Sequence, residues 1–443
     1  MADIIKIKKG LDIHLEGKAA DKITEDTATS VFAICPDDFP GPVWKTLVKE
    51  GDKVNAGAPL FKDKKTEEIF LTSPISGTVI EVKRGERRHI DYISVKAEES
   101  IPAKKEIPTS LSREDITTLL KETGLWAMMR QRPYDIVPDA NSLPRDIFVT
   151  AFDSAPLAGK MVGEALAPYL EKGLEILSNL TTGQVYLDAP IGSNMTSKFA
   201  KVTEFDGPHP AGNVGVQISA IKPVNKGETV WTLDSATVCR IGRLFATGEI
   251  DYIAFVAVTG PKVKDPHYVR THIGAHISSL LKGFVDSYEG LRVISGNVLT
   301  GTKVSPEGFL HYPYRQITVI SEGNDADEFM GWASMNPKKY SVKHTFPAFL
   351  RGLSKPFDFD ARIKGGKRAM ILSGEYDKVF PFDIYPEYLI KAIMANDIDR
   401  MEKLGIYEVA PEDFALPEFV DTSKIELQKI VREGLDNLRK ELS

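Results

Sequence analysis

Short apolar runs broken by glycine and proline constrain this chain most tightly. They are densest between Glu50 and Val79, where it reads EGDKVNAGAPLFKDKKTEEIFLTSPISGTV. Val54, Leu60, Phe61, Ile69, Leu71, Val79, Ile80 and Val82 fall in strand-length runs rich in β-branched and aromatic residues, bounded by Gly, Pro and Asp. Gly51, Gly57 and Gly77 suit the tight turns between them, because glycine takes φ > 0 without steric cost. The segment reads as a small, glycine-cornered β-sandwich.

The two halves, GD-x-V-x-x-G-x-P-L and SP-x-SG-x-V, resemble the barrel-sandwich hybrid of biotinyl and lipoyl carriers over roughly residues 30–96. In those carriers the modified lysine stands eight positions before the proline of the second half. Counting back from Pro74 gives Thr66, flanked by Lys65 and Glu67, without the usual Met-Lys-Met context. A threonine has no amine to acylate. The expectation is a carrier-like fold kept as a structural or docking module; the carrier alternative would show as a mass increment on Lys65 or a neighbouring lysine.

At 443 residues the chain has room for two to four domains of roughly 150 residues each. Its formal net charge of −6 argues against a nucleic-acid partner, which wants a basic face. No apolar run approaches the roughly 20 residues of a membrane span, and MADIIKIKKG lacks the apolar core of a signal peptide. A cytoplasmic location is expected, where the sequons at Asn179 and Asn194 would be chance matches. The two cysteines, Cys35 and Cys239, exclude a disulfide framework and any self-contained four-cysteine iron–sulfur cluster.

Residues 97–110, AEESIPAKKEIPTS, read as a charged linker, and Ser112 followed by Asp115 starts a helix through LSREDITTLLKETGLWAMM. DIFVTAF (146–152), QVYLDAP (184–190) and DYIAFVAVTG (251–260) read as strands, with a helix through 159–180 after the first, which predicts an α/β unit with a largely parallel sheet. A mixed β and helical region follows, and the segment from Phe380 is mostly helical. Its last stretch puts Leu427, Ile430, Val431, Leu435, Leu438 and Leu442 on one stripe, for packing on the body or on a partner.

In such sheets ligands sit beyond the carboxyl ends of the strands. Here the loop after the first strand is DSAPLAG, with no GxGxxG; Asp153 puts a negative charge near the phosphate position and Pro156 removes an N–H donor. The loop GPHPAGNVG (207–215) is permissive, and His209 could contact a ligand. His272 and His276 would share a face on a helix, but no third metal ligand is near, and no GxSxG is present. No catalytic residue and no metal ligand is assigned.

The N-terminal IKIKKGLDI, the GDKV…GAPLF…TSPISGTV module, IFVTAFDSAPLAG, GPHPAG, GPKVKDPHYVRTHIGA, YRQITVISEG and the C-terminal run from FPFDIYPEYL to PEFVD together resemble the NqrA family, the A subunit of the bacterial sodium-translocating NADH:quinone oxidoreductase. More distantly, the chain is similar to a subunit of Rnf-type electron-transport complexes that carries two iron–sulfur clusters. Where that relative has its second cysteine run, this chain has VAPEDFALPEFVD (409–421). The resemblance implies a carrier-like barrel-sandwich hybrid (1–96), a linker and helix (97–144), a Rossmann-like α/β domain (145–260), a small β-grasp domain of the SLBB type (261–330), and a connecting segment with a cysteine-free, ferredoxin-like helical domain (331–443).

It further implies a peripheral subunit on the cytoplasmic face of the bacterial inner membrane, docked on membrane subunits and without a covalent cofactor of its own. Catalysis would belong to the complex, with FMN, FAD, riboflavin, iron–sulfur and NADH sites on other subunits. A quinone, ubiquinone or menaquinone, is the expected small-molecule partner. Fold logic places it first near Phe152, Asp153, His209 and Asn213. The competing expectation is a soluble nucleotide- or flavin-binding oxidoreductase subunit.

Overall fold

Two six-stranded sheets, one four-stranded and one three-stranded sheet hold the named strands of the computed structural model, which describes residues 3–98, 104–162, 166–324, 335–342, 347–350, 352 and 355–442. Residues 99–103 of the expected linker, 163–165 of the expected helix and several residues after 324 lie outside the described residues.

Strands Val31–Ile34, Ile90–Ala97, Gly77–Arg84 and Lys53–Val54 pair in that order and face the sheet of Trp44–Thr46, Pro59–Asp63 and Phe70–Thr72. Val54, Leu60, Phe61, Ile69, Leu71 and Val79 are buried in the core, while Ile80 is exposed on the opposite face, as the two-residue period requires. Gly51 and Gly57 do turn with φ of 89° and 81°. Gly77 has a different reason: a Cβ there would lie 1.9 Å from the Lys96 carbonyl oxygen, so it permits a close strand approach rather than a left-handed turn.

Asp3–Lys6, Lys201–Asp206, Val185–Pro190, Ile147–Thr150 and Val230–Asp234 lie side by side and parallel, closed at one edge by antiparallel Arg130–Arg132. Helices Leu170–Ser178 and Ser235–Thr247 cover one face and Val214–Ile221 the other. Glycines set the spacing of the first two: a Cβ on Gly173 would stand 2.1 Å from the Val238 carbonyl oxygen. Of the three strands expected here, DYIAFVAVTG belongs elsewhere. It forms Ile253–Thr259 inside the second six-stranded sheet, between Gln316–Ser321 and His267–His272. A strand buried on both faces reads the same in either sheet. The places beside Val185–Pro190 and Ile147–Thr150 go to KVTEFD and VWTLD.

The N-terminal stretch spans both large sheets. Asp3–Lys6 adds to the α/β sheet, and Ala20–Glu25 adds to the second sheet beside His267–His272. The C-terminal helices Pro386–Met394, Ile398–Lys403, Ala415–Val420 and Leu427–Leu442 build a second core that also takes in Ile7, Ile13, Phe205, Ala211 and Val216. Leu427, Val431, Leu435 and Leu438 are buried in it and Ile430 partly so, while Leu442 is exposed at the helix end.

One buried cation ties that core to the α/β sheet. Arg132, on the edge strand, is 1% exposed; its guanidinium donates to Asp413 Oδ2 at 2.7 Å and Glu412 Oε1 at 2.8 Å. Asp413 Oδ2 also accepts the Ala410 N–H at 2.8 Å. Removing one partner leaves the other charge buried and uncompensated. Arg132→Ala is therefore expected to cost about 3–5 kcal/mol in urea denaturation, and the Arg132→Met, Asp413→Leu double variant less than the sum of its single changes.

Candidate functional site

Thr66 sits at the turn between Pro59–Asp63 and Phe70–Thr72, where a carrier's lysine would stand. The buried Asp63 carboxylate holds that turn, accepting the Thr66 N–H at 2.9 Å and the Val43 N–H at 3.0 Å. Next to the tip, Glu68 pairs with Lys121 on helix Arg113–Glu122. The return strand is bonded further in: the Thr72 hydroxyl lies 3.2 Å from the Thr123 carbonyl and 2.8 Å from the Tyr252 hydroxyl, all three residues being buried. A module bonded to its neighbours in this way is a fixed brace, not a swinging arm.

The second place of interest lies where the strand order of the α/β sheet reverses, between Ile147–Thr150 and Val230–Asp234. Such reversals open a crevice at the carboxyl ends of the strands. Two loops meet there, 151–158 and 207–213. The Thr150 hydroxyl lies 3.2 Å from the Gly212 carbonyl, and the Gly212 N–H donates to Ser154 Oγ at 2.8 Å. Ser154 Oγ stands 3.1 Å from His209 Nδ1. Ser154 Oγ accepts from Gly212, and the direction of its hydrogen bond with Nδ1 is set by the tautomer of the ring. Burial pulls the His209 pKa down to about 4, against Asp153 and Asp12, whose charges pull it up. At neutral pH the ring is an uncharged hydrogen-bond donor.

The other candidates share these loops. Phe152 is half-buried against the C-terminal core. Asp153 is exposed, its Oδ1 accepting the Ala155 N–H at 2.7 Å. Asn213 precedes helix Val214–Ile221 without capping it through its side chain. The loops also touch the start of the chain: Asp12 Oδ1 accepts the His209 N–H at 2.9 Å, so IKIKKGLDI and GPHPAG are neighbours in space.

Sequence reading missed Asp188, which lies between Thr150 and Thr203 in register and is fully buried. Among the described residues neither of its oxygens has a hydrogen-bond partner, and burial holds its carboxyl well above the carboxylate range. A lone acid inside the apolar run QVYLDAP was the available signal. On the helix above the same face, Gln217 donates through Nε2 to Thr150 Oγ1, and its Oε1 is likewise unpartnered.

The histidine pair considered for a metal does not share a helix. His272 ends strand His267–His272, and His276 precedes the short helix Ile277–Leu280. Each ring packs edge-on against a phenylalanine, Phe32 and Phe309. The group that the fold does gather is Cys35, Asp38 and His311, whose ligand atoms lie within 4.8 Å of one another. Among the described residues no helix is long and apolar enough to cross a membrane.

Two outcomes are expected. Thr66→Lys restores an amine at the tip but leaves it on a bonded hairpin, so intact-mass spectrometry after exposure to biotin or lipoate ligase should show no increment. The second concerns pH. His209 has a folded pKa below its ordinary 6.5, so the stability it supports is whole above pH 6.5 and is lost as pH falls toward 4. His209→Gln should therefore flatten the acid arm of the stability curve, with the difference from wild type across that window reaching about 3 kcal/mol in urea titrations.

Family models match along the chain in the same order as the sheets: the NqrA N-terminal barrel-sandwich hybrid domain over residues 5–98, the NqrA second alpha/beta domain over 111–250 and the NQRA C-terminal domain, of SLBB type, over 255–305. The A subunit of a Na(+)-translocating NADH-quinone reductase from Serratia proteamaculans is 38% identical over 99% of this chain and 100% of its own length. Proteins of the same name from Marinomonas sp. (38% over 98% and 99%) and Pasteurella multocida (37% over 99% and 100%) match as fully. Among solved structures, a chain of an air-oxidized NAD+-reducing [NiFe]-hydrogenase is 12% identical and superposes on 75% of this chain and 62% of its own at a TM-score of 0.36, too loosely to carry an argument. Full-length identity of this order, with three family domains in register, is decisive: the chain belongs to the NqrA family, the A subunits of the Na+-translocating NADH-quinone reductase.

Proposed function

We propose that this chain is a peripheral subunit of a sodium-pumping NADH:quinone oxidoreductase, on the cytoplasmic face of the bacterial inner membrane. The complex couples NADH oxidation and reduction of ubiquinone or menaquinone to Na+ export, and this chain alone does not catalyse the reaction. The observation that carries the reading is the 38% identity over 99% of the chain to a protein of that name. The chain divides into carrier-like, Rossmann-like, β-grasp and helical parts, with strand Ile253–Thr259 counted with the β-grasp part and residues 3–25 shared between the two large sheets. FMN, FAD, riboflavin, iron–sulfur and NADH sites belong to the other subunits, its partners.

Within this chain the quinone headgroup is assigned to the crevice between loops 151–158 and 207–213. A quinone needs an apolar wall and one or two donors for its carbonyl oxygens. Phe152 supplies the wall and neutral His209, in its Nε2–H tautomer, the donor; Asp153 and Asn213 border the same loops. A histidine whose pKa lies at about 4 positions a carbonyl but holds no extra proton at pH 7. The two protons of quinol formation come from solvent, and the two electrons from flavin on a partner subunit.

Affinity purification of the chain from detergent-solubilised membranes tests the first part. Flavin-bearing membrane subunits should co-purify, with NADH:quinone activity that depends on sodium; a chain that stays alone, or binds NADH or FMN itself, would overturn the reading. The quinone assignment is tested separately in the assembled complex. His209→Leu should raise the quinone KM about tenfold, the worth of one buried hydrogen bond, and leave the NADH KM unchanged. An unchanged quinone KM would remove quinone from this crevice while the subunit reading stands.

A further inference from the structure

Away from the crevice, at the seam between the carrier-like sandwich and the 309–315 loop, Cys35, Asp38 and His311 converge. Cys35 directly follows strand Val31–Ile34, and Asp38 closes the helical turn Pro36–Asp38. His311 enters from the segment before strand Gln316–Ser321. One ligand atom from each lies within 4.8 Å of the other two. Cys35 is buried, and the side chains of Asp38 and His311 are 11% and 24% exposed, so solvent reaches the group past the histidine.

The surroundings hold these residues in place. Asp38 Oδ2 accepts the Tyr312 N–H at 2.8 Å, Phe39 stacks on Tyr312 at 5.1 Å, and the His311 N–H donates to Ser295 Oγ at 2.9 Å. Asp38 Oδ1 and His311 Nδ1 lie 2.7 Å apart and share a proton. Arg130 donates to the Asp38 carbonyl, not to its carboxylate.

Sulfur, imidazole nitrogen and carboxylate oxygen are the donor types of zinc sites, and sites with three protein donors keep a fourth position for water. The charges agree. A divalent cation cancels one thiolate and one carboxylate and leaves the site neutral. The Asp38–His311 hydrogen bond explains that pair but not the thiol beside it.

The geometry points to a site for a divalent transition metal of the zinc class, held by Cys35 Sγ, the Asp38 carboxylate and the His311 imidazole, with a fourth position open to water. The thiol proton leaves when the ion binds. The ion clamps the sandwich to the 309–315 loop, across 273 positions of chain. Zinc has no redox chemistry, so the site adds no redox centre.

Cobalt(II) titration of the full-length chain, stripped with a chelator, tests this, because the chain has only two cysteines. One Co2+ per chain should bind with a thiolate-to-cobalt charge-transfer band, and Zn2+ should displace it. The band should survive Cys239→Ser and vanish in Cys35→Ser. Asp38→Asn, which preserves shape, should weaken binding by at least about tenfold, the loss that even outer-shell partners of a metal cause. A wild-type chain with no such band in excess Co2+ overturns the proposal, whatever the variants do. So does a band that persists in Cys35→Ser or is lost in Cys239→Ser.

Discussion

The buried guanidinium of Arg132 is the contact on which the rest of the arrangement depends. Taking a cation and a carboxylate out of water costs several kcal/mol per ion, returned only by close geometry and full hydrogen bonding. Arg132 has the close geometry with Asp413 and reaches the more exposed Glu412 as well, though its Nε and Asp413 Oδ1 have no hydrogen-bond partner among the described residues. The turn that carries these acids also approaches helix Val214–Ile221, where a Cβ on Gly215 would lie 2.4 Å from Asp413 Oδ1. The edge strand, the helix and the C-terminal core are thus locked together behind loop 207–213. Phe152 packs on that same core.

At three places where the sequence resembles cofactor-binding motifs, a contact holds the fold. The carrier hairpin ends in Thr66, pinned by Asp63. The cysteine-free stretch 409–421 supplies the acids for Arg132. The first loop of the α/β unit, with Asp153 and Pro156, is bonded across to Gly212 through Ser154.

Much of this was legible because it is local. The sandwich announces itself through alternation, turn residues and strand length, and the C-terminal stripe through helical spacing. The loops carrying Phe152, Asp153, His209 and Asn213 could be placed together because strand ends converge by rule at a topological reversal. Sheet membership was not legible for Ile253–Thr259, since burial on both faces looks alike in either sheet. The reason for Gly77 was hidden too, because a close strand approach leaves the same letter as a turn. Cys35, Asp38 and His311 left no pattern, as the histidine stands 273 positions from the aspartate. Asp188 did leave one, an acid amid apolar strand residues.

The placement of residues 3–25 sets the order in which the molecule can close. Asp3 pairs with Thr203 and Ala20 with His267, in parallel strands of two different sheets. During synthesis these residues leave the ribosome roughly 10–50 s before their partners, at about 5–20 residues per second. Until then each sheet lacks one edge, and the early segment has nothing to pair with. The beginning of the chain is in this sense its last structural part: a bolt made first and shot home only after both doors are hung.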